Sequence, residues 1–129
     1  MKKVKILALS GLLLASGIFT GQVMAADAGA GKVVFRKCQT CHTVEAGQNR
    51  IGPSLYGVIG RTPGTTAYRY SKAMTAFGET GAVWDEATLD TFLISPRTLV
   101  KGTKMGFPGL KDATQREDLI AYLKSVANE

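Results

Sequence analysis

Apolar residues recur at intervals of three and four in several stretches of the chain, which is the pattern of helices with one buried face. The clearest stretch predicts a helix over residues 115–127, and Thr114 and Glu117 are placed to form a capping box at its start. The apolar positions of this helix are Leu119, Ile120, Tyr122, Leu123 and Val126. We therefore expect a C-terminal helix with one face in the core.

Earlier in the chain the pattern predicts further helices, all of them short. One runs from Glu86 to Ile94, where Asp85 is a suitable N-cap and Pro96 stops the helix. Another covers about residues 30–40, and a shorter one is compatible with residues 71–77. No stretch alternates between apolar and polar residues as a strand would. The pattern thus predicts an all-α fold.

Glycine and proline interrupt the stretches between these helices. The chain has 15 glycines and 4 prolines in 129 residues, and they cluster in segments that we interpret as turns and loops. We find no internal repeat, linker or low-complexity segment. The expected architecture is one small domain of about three to five short helices joined by irregular loops.

The N-terminal segment has the three parts of a secretory signal peptide. A basic start (Lys2, Lys3, Lys5) precedes an apolar run over residues 6–19, and Ala25 ends a small-residue cleavage pattern. We predict a cleaved signal peptide over residues 1–25, a mature domain over residues 26–129 and a location in the periplasm. The alternative is an uncleaved anchor that holds the domain at the membrane surface.

Removing this segment changes the charge. The whole chain has a formal charge of +6, and the signal segment holds three lysines and no acidic residue, so the mature domain carries +3. The domain is mildly basic and has no dense block of lysine and arginine. Composition and export together argue against nucleic-acid binding.

Residues 38–42 read Cys-Gln-Thr-Cys-His, and His42 is the only histidine in the chain. This C-x-x-C-H motif is typical of covalent haem attachment, in which Cys38 and Cys41 form thioethers and the histidine binds the iron. The alternatives are a disulfide, a thioredoxin-like redox pair, a structural zinc site and a chance match. A redox pair is expected in a βαβ unit, and a zinc site needs a fourth ligand, neither of which the sequence indicates.

With one histidine in the chain, the opposite face of a haem iron needs another ligand or stays open. The candidates are Met74, Met105, a lysine, or nothing. Thioether sulfur is a good ligand for haem iron. Met105 lies in a glycine-rich segment over residues 101–109, whereas Met74 lies in the predicted helix 71–77, where a core methionine is the simple explanation. We favour Met105.

Several motifs together resemble one family, the class I c-type cytochromes. The similarity covers residues 30–129 and includes mitochondrial cytochrome c and the soluble cytochromes c of proteobacteria. Its motifs are GKxxF at 31–35, KCxxCHTV at 37–44, GPxLxG at 52–57, GR at 60–61, Trp84, GTKMxF at 102–107 and REDLIAYL at 116–123. The resemblance implies a small cytochrome c fold wrapped around one covalently bound haem c.

The resemblance also implies roles for single residues. Cys38 and Cys41 would form the thioethers, and His42 and Met105 would be the axial ligands. The Pro53 carbonyl would accept the ring N–H of His42. Arg61, Tyr70 and Trp84 would contact the haem propionates, and Thr103 would bond near the inner one. Phe35 and Tyr122 would pack the first helix against the last.

Two positions depart from the family pattern. Phe92 stands where the family usually has a tyrosine whose hydroxyl reaches the methionine sulfur. Residues 71–83 form a longer stretch than in the mitochondrial form and align poorly with it, so their role is not implied by the resemblance.

A haem with both axial positions filled by protein side chains exchanges single electrons and does not readily bind oxygen or peroxide. The resemblance therefore implies an electron carrier, expected to be monomeric, that takes electrons from a quinol-oxidising cytochrome bc complex. Its acceptor would be a terminal oxidase, a photosynthetic reaction centre or a reductase. The competing class is a peroxidase or haem sensor with an open sixth position.

Five basic residues are expected around the haem edge nearest the thioethers, through which electrons would leave. They are Lys37, Arg97, Lys101, Lys104 and Lys111. Such a ring would attract acidic surfaces on membrane redox complexes. The alternative is ordinary solvated surface charge.

Overall fold

The computed structural model of the protein describes residue 21 and residues 24–127. The predicted signal segment falls almost entirely outside these residues. Within them the chain forms five α-helices and one 3-10 turn, and no strand. The helices are α1 (Ala28–Val34), α2 (Lys72–Glu79), α3 (Glu86–Ile94), α4 (Pro96–Leu99) and α5 (Ala113–Ser125), and the 3-10 turn is Phe35–Lys37. The predicted all-α class is confirmed.

The first helix starts earlier and ends earlier than the sequence pattern predicted. Asp27 caps it, because its carboxylate accepts the N–H groups of Gly29 at 2.7 Å and Ala30 at 3.1 Å. After Val34 the chain tightens into the 3-10 turn, and the N–H of Cys38 bonds to the carbonyl of Phe35 at 2.8 Å. The cysteine pair therefore lies in the turn after the helix.

The first and last helices pack directly on each other. A Cβ at Gly31 would lie 1.9 Å from the carbonyl oxygen of Asp118, so the backbones approach too closely for any side chain at that position. One turn further along, the rings of Phe35 and Tyr122 meet with centroids 5.5 Å apart. The expected packing of these two aromatic residues is confirmed.

The predicted bounds of α3 are confirmed, whereas the predicted start of α5 is wrong. The Asp85 carboxylate accepts the N–H of Thr88 at 2.7 Å, and α3 covers the predicted residues. The capping box at Thr114 is wrong: the carboxylate of Asp112 accepts the N–H of Gln115 at 3.0 Å and starts α5 two residues earlier than predicted. Pro96, predicted to stop α3, also begins the short α4, because proline suits the first turn of a helix.

Residues 71–83, whose role the sequence left open, contain α2. Ser71 caps this helix by accepting the N–H of Met74 at 3.1 Å, and the helix continues to Glu79, two residues beyond the prediction. A Cβ at Gly78 would lie 2.0 Å from the carbonyl oxygen of Pro63, so α2 packs closely on that turn. The segment is a helix of the domain rather than an extended loop.

One hydrophobic core joins α1, α3 and α5. Its fully buried members are Phe35, Val58, Trp84, Leu89, Phe92, Leu93, Val100, Leu110, Leu119, Ile120 and Leu123. Several partly buried apolar side chains border it, including Cys38, Met74 and Met105. Over the described part of the chain, no helix has the length and apolar character needed to cross a membrane.

Candidate haem site

The C-x-x-C-H motif forms a tight turn. The N–H groups of Cys41 and His42 both bond to the carbonyl of Cys38, at 3.0 Å and 2.9 Å. Cys38 and Cys41 are half-buried and are not joined in a disulfide. Burial is the main reason that the pKa of the Cys38 thiol rises to about 11, which keeps it protonated at neutral pH. A thioredoxin-like pair is expected beside a βαβ unit, and the described part of the chain has no strand around this turn.

The His42 ring is held in one orientation. Its Nδ1 lies 2.7 Å from the carbonyl oxygen of Pro53, and because a carbonyl can only accept, Nδ1 carries the proton. The lone pair of Nε2 is then free to bind a metal, and the hydrogen bond makes that nitrogen more basic. Burial lowers the pKa of His42, which favours the neutral ring that metal binding requires.

Gly52 closes against the same imidazole. A Cβ at this position would lie 2.5 Å from Cε1 and 2.8 Å from Nδ1 of His42. The N–H of Gly52 bonds to the carbonyl of Cys41 at 2.8 Å, so the backbone of residues 52–53 is joined to the motif and covers its ring. The ring has room only because residue 52 lacks a side chain.

A zinc site does not fit this arrangement. Among the described residues, no group of three or more histidine, cysteine or acidic side chains converges on a point where it could hold a metal ion. Cys38, Cys41 and His42 are neighbours in sequence without forming such a group. Two thiols at this spacing beside an oriented imidazole do fit a haem attached through two thioethers and bound by one histidine.

The two candidate methionines lie in different surroundings. Both are partly buried against the hydrophobic core. Met74 belongs to the first turn of α2. Met105 lies in an irregular loop, where its N–H bonds to the hydroxyl of Thr103 at 3.2 Å.

Arg61 is a half-buried cation without a carboxylate partner among the described residues. Its guanidinium donates to the carbonyls of Tyr56 at 3.1 Å and Ser54 at 3.2 Å. Burial lowers the pKa of Arg61, and the nearby Tyr70 partly offsets that effect. A half-buried guanidinium with free donors is well suited to bind an anionic group.

Trp84 is joined to Arg61 through the backbone. The N–H of Trp84 bonds to the carbonyl of Arg61 at 2.9 Å, and the N–H of Gly60 bonds to the carbonyl of Trp84 at 2.8 Å. The buried indole packs on Phe92 with ring centroids 4.8 Å apart. The phenol of Tyr70, which lies near Arg61, bonds to the hydroxyl of Thr66.

The predicted site residues thus fall into three groups. One holds Cys38, Cys41, His42 and Pro53; the second holds Arg61, Tyr70 and Trp84; the third holds Thr103 and Met105. No hydrogen bond or ring contact within the described part of the chain joins one group to another.

Sequence reasoning missed two residues that organise these groups. Asn49 accepts the N–H of Ser54 at 3.0 Å and donates to the carbonyl of Ala67 at 2.8 Å, joining the histidine segment to the loop that follows Arg61. No pattern in the sequence predicts these contacts of Asn49. Arg116 is buried in α5, and its spacing from Leu119, Ile120 and Leu123 places it on the apolar face, which was a readable signal.

Comparison with known proteins decides the family. The family model described as cytochrome c matches residues 28–127, which include every group above. The chain belongs to the cytochrome c family. Members of this family are electron-transfer proteins that bind haem c covalently, and the two cysteines of this cytochrome have the required spacing.

Its relatives include plant, animal and bacterial proteins. The chain is 46% identical over 104 residues to cytochrome c of Guizotia abyssinica, covering 78% of this chain and 91% of that protein. It is 45% identical over 98 residues to cytochrome c2 of Afifella marina, covering 74% and 79%. Among solved structures, cytochrome cH from Methylobacterium extorquens matches with a TM-score of 0.71 and 41% identity, covering 78% of this chain and 99% of that one. The expected cytochrome c fold is confirmed.

Proposed function

We propose that this cytochrome is an exported one-electron carrier in which His42 and Met105 bind the haem iron from opposite faces and Cys38 and Cys41 form the thioether bonds. The observation that carries the proposal is the hydrogen bond from His42 Nδ1 to the Pro53 carbonyl, which leaves Nε2 free as a ligand. When bound, haem c supplies one-electron exchange between ferric and ferrous iron.

Several features of the methionine support its role as the second ligand. Met105 borders the core from an irregular loop, and its side chain is partly buried there. Met74 is part of a helix, and its position there is explained by packing. A thioether that stays bound in both oxidation states keeps the coordination unchanged and excludes water from the iron.

The second group of site residues would hold the anionic edge of the cofactor. Arg61 has no carboxylate partner in the described part of the chain, and its half-buried guanidinium would neutralise a propionate. Trp84 and Tyr70 lie beside it and can donate an indole N–H and a phenol O–H. The Thr103 hydroxyl accepts from Met105 and keeps its own hydrogen to donate to the inner propionate.

We infer that residues 1–25 are removed on export to the periplasm and that residues 26–129 are the working domain. Both the first helix and the family match begin at Ala28, just after the proposed cleavage point. A mature protein whose N-terminal sequence begins at Ala26 is the expected result. A chain that keeps its first residues would favour the membrane-anchored form instead.

The proposed partners are membrane redox complexes with acidic docking surfaces: a cytochrome bc complex as donor, and a terminal oxidase, reaction centre or reductase as acceptor. Arg97, Lys101 and Lys104 are exposed and have no ion-pair partner among the described residues. Lys37 bonds to Gln115, and Lys111 bonds to the carbonyl of Ile94, so these two also keep their full charge. These five positive charges support docking of a monomer by long-range attraction to an acidic partner.

Salt tests the docking surface. Because screening shortens the reach of exposed charges, second-order transfer rates with an acidic redox partner should fall as ionic strength rises. Replacing Lys104 by glutamine should make that dependence less steep. A flat ionic-strength profile in the unmodified protein would contradict the docking proposal.

The ligand assignment is tested by the ferric absorption spectrum. A weak band near the red end reports sulfur ligation, and we expect it in the purified protein and in Met74→Ala, but not in Met105→Ala. If the unmodified protein lacks the band at neutral pH and turns over hydrogen peroxide quickly, the peroxidase alternative replaces the carrier. Loss of the band in Met74→Ala alone would assign the ligand to α2.

A further inference from the structure

The loop over residues 101–109, here called the methionine loop, has little holding it internally. Its hydrogen bonds within the described chain are from the N–H of Thr103 to the carbonyl of Val100, at 3.0 Å, and from Met105 to Thr103. Gly102 and Gly109 have φ angles of 92° and 109°, which favour glycine, and they stand near its two ends. Besides the packing of Met105 and Phe107 against the core, the position of the loop therefore depends on how its ends are fixed.

The C-terminal end of the loop is fixed to the end of α3. The N–H of Leu110 bonds to the carbonyl of Leu93 at 2.7 Å, and Leu110 is 4% exposed. A Cβ at Gly109 would lie 2.1 Å from the carbonyl oxygen of Ile94, so the two backbones are in direct contact. This attachment is the point at which the methionine loop meets the core.

Arg116 completes this attachment from α5. Its Nη1 donates to the carbonyls of Leu110 and Lys111, both at 3.0 Å, and its Nε donates to the carboxylate of Asp90 at 2.7 Å. Arg116 is 8% exposed, and its bond to the Leu110 carbonyl is buried, where losing a partner is costly. The bonds to Lys111 and Asp90 are partly buried. One guanidinium therefore joins α3, α5 and the end of the methionine loop.

We propose that Arg116 is a positioning residue for the axial methionine, because it fixes the carbonyls at which the methionine loop ends. This proposal rests on the proposed ligation of the iron by Met105. With Arg116 in place, residues 110–111 stay on the core, and Met105 can leave the iron only if the loop between Gly102 and Gly109 moves. Without it, residues 110–111 can also detach, so more conformations release the sulfur and the open state becomes more populated.

The alternative is that Arg116 merely stabilises the packing of α3 on α5. A second ion pair allows the two to be separated, because Lys124 of α5 pairs with Glu86 of α3 and so joins the same two helices. Glu86 lies in the first turn of α3, at the opposite end of that helix from the attachment at Leu93 and Ile94. Glu86→Gln is therefore a matched control that weakens the contact between the two helices at the end far from the methionine loop.

The experiment is a titration of the ferric holoprotein with imidazole, in which loss of the absorption band from sulfur ligation measures binding. Imidazole can bind only where Met105 has left the iron, so its apparent dissociation constant falls as the open fraction rises. We expect Arg116→Gln to bind imidazole about tenfold more tightly than the unmodified protein, since charged hydrogen bonds at the loop end are lost. Arg116→Lys keeps the charge but not the paired donors, and should show a smaller change in the same direction.

Two further variants complete the design. Asp90→Asn removes the ion pair but leaves the bonds to Leu110 and Lys111, so imidazole affinity should rise by about twofold at most. Phe35→Leu weakens the contact of the 3-10 turn with α5 and should lower the midpoint of guanidinium unfolding without changing imidazole affinity. If Arg116→Gln does not fold, Arg116→Lys decides the question by itself.

The outcomes separate this inference from the proposed function. Absence of the sulfur band in the unmodified protein overturns the ligation by Met105. A normal band combined with unchanged imidazole affinity in the Arg116 variants overturns only the positioning role. An equal rise in affinity in Glu86→Gln would also overturn it, because helix packing would then explain the effect.

Discussion

The two segments that carry the proposed iron ligands are held in very different ways. In the histidine segment, residues 38–55, side chains and backbone bond repeatedly to one another: Thr43 to the carbonyl of Gln48 at 2.7 Å, Ser54 to the carbonyl of Glu45 at 2.6 Å, and His42 to Pro53. The methionine loop has almost no such bonds and depends on its ends. His42 therefore lies in a segment with many internal hydrogen bonds, whereas Met105 lies in a loop that is attached mainly at its two ends.

This difference predicts which of the two proposed ligands would leave the iron first. Release of His42 would break a network of local hydrogen bonds, whereas release of Met105 would require movement of a loop that has few hydrogen bonds and is held mainly by the packing of Met105 and Phe107 on the core. Local opening takes the path that breaks the fewest interactions. We therefore expect the methionine side to exchange its ligand long before the histidine side does.

The largest expected effect comes from a matched pair of glycine substitutions, one on each side. Neither Gly52 nor Gly106 has a positive φ, so alanine is allowed by the backbone at both positions. In Gly52→Ala the new methyl would overlap the His42 ring at 2.5 Å, while in Gly106→Ala it would meet no atom within 4 Å. We expect Gly52→Ala to lower the free energy of unfolding by about 3 kcal/mol, or to prevent haem incorporation, because the ring has no space to move.

Guanidinium unfolding of the holoproteins, with haem content from a pyridine haemochrome assay, measures this contrast. Gly106→Ala, whose methyl meets no protein atom within 4 Å, should lose less stability and less haem than Gly52→Ala. Equal stability of the two variants would show that the histidine ring is free to move and that the contrast between the two sides is mistaken.

What the sequence could predict depended on how local each signal was. The bounds of α3 followed from Asp85 and Pro96, two residues that act on their immediate neighbours. The start of α5 was misplaced because Asp112 and Thr114 are both good caps, and only the bond to Gln115 distinguishes them. The family fold was recognisable because its motifs are contiguous and numerous.

The same distinction applies to the candidate site. The haem attachment residues lie within five positions, so the motif identified them directly. The contacts of Asn49 with Ala67 and of Arg116 with Asp90 join residues 18 and 26 positions apart, and no local pattern encodes such pairs. The candidate haem-binding residues were therefore predictable. Of the residues that hold the two ligand segments in place, Asn49 gave no local signal, and the position of Arg116 on the apolar face of α5 was readable but its partners were not.

An intermediate loss of stability is expected when hydrogen bonds are removed from the histidine segment alone. Asn49→Ala loses both side-chain bonds, to Ser54 and to Ala67, and should lower the free energy of unfolding by about 1–2 kcal/mol. Asn49→Asp keeps the acceptor for the Ser54 N–H and loses the donor to Ala67, so it should cost about half as much. Denaturant unfolding gives both values.

The informative readout for these variants is imidazole affinity. Since Asn49 makes no bond to the methionine loop, ligand exchange at Met105 should be unchanged while stability falls. Tighter imidazole binding in Asn49→Ala would mean that the two sides are coupled and would remove the basis for treating them separately.

The smallest effect concerns the far end of α3, the helix to which the methionine loop is attached. The Asp85 carboxylate accepts the N–H of Thr88, and this bond lowers the pKa of Asp85 below its ordinary value of 3.8. A carboxyl group with a depressed folded-state pKa contributes stability that is complete above the unfolded value and is lost as pH falls through the folded value. In Asp85→Asn the cap no longer titrates, so the stability difference from the unmodified protein should be constant above about pH 5 and should change in favour of the variant below about pH 4. Urea midpoints of both proteins across this range measure the difference, and a constant offset down to the most acid point would show that the Asp85 cap does not contribute to acid sensitivity.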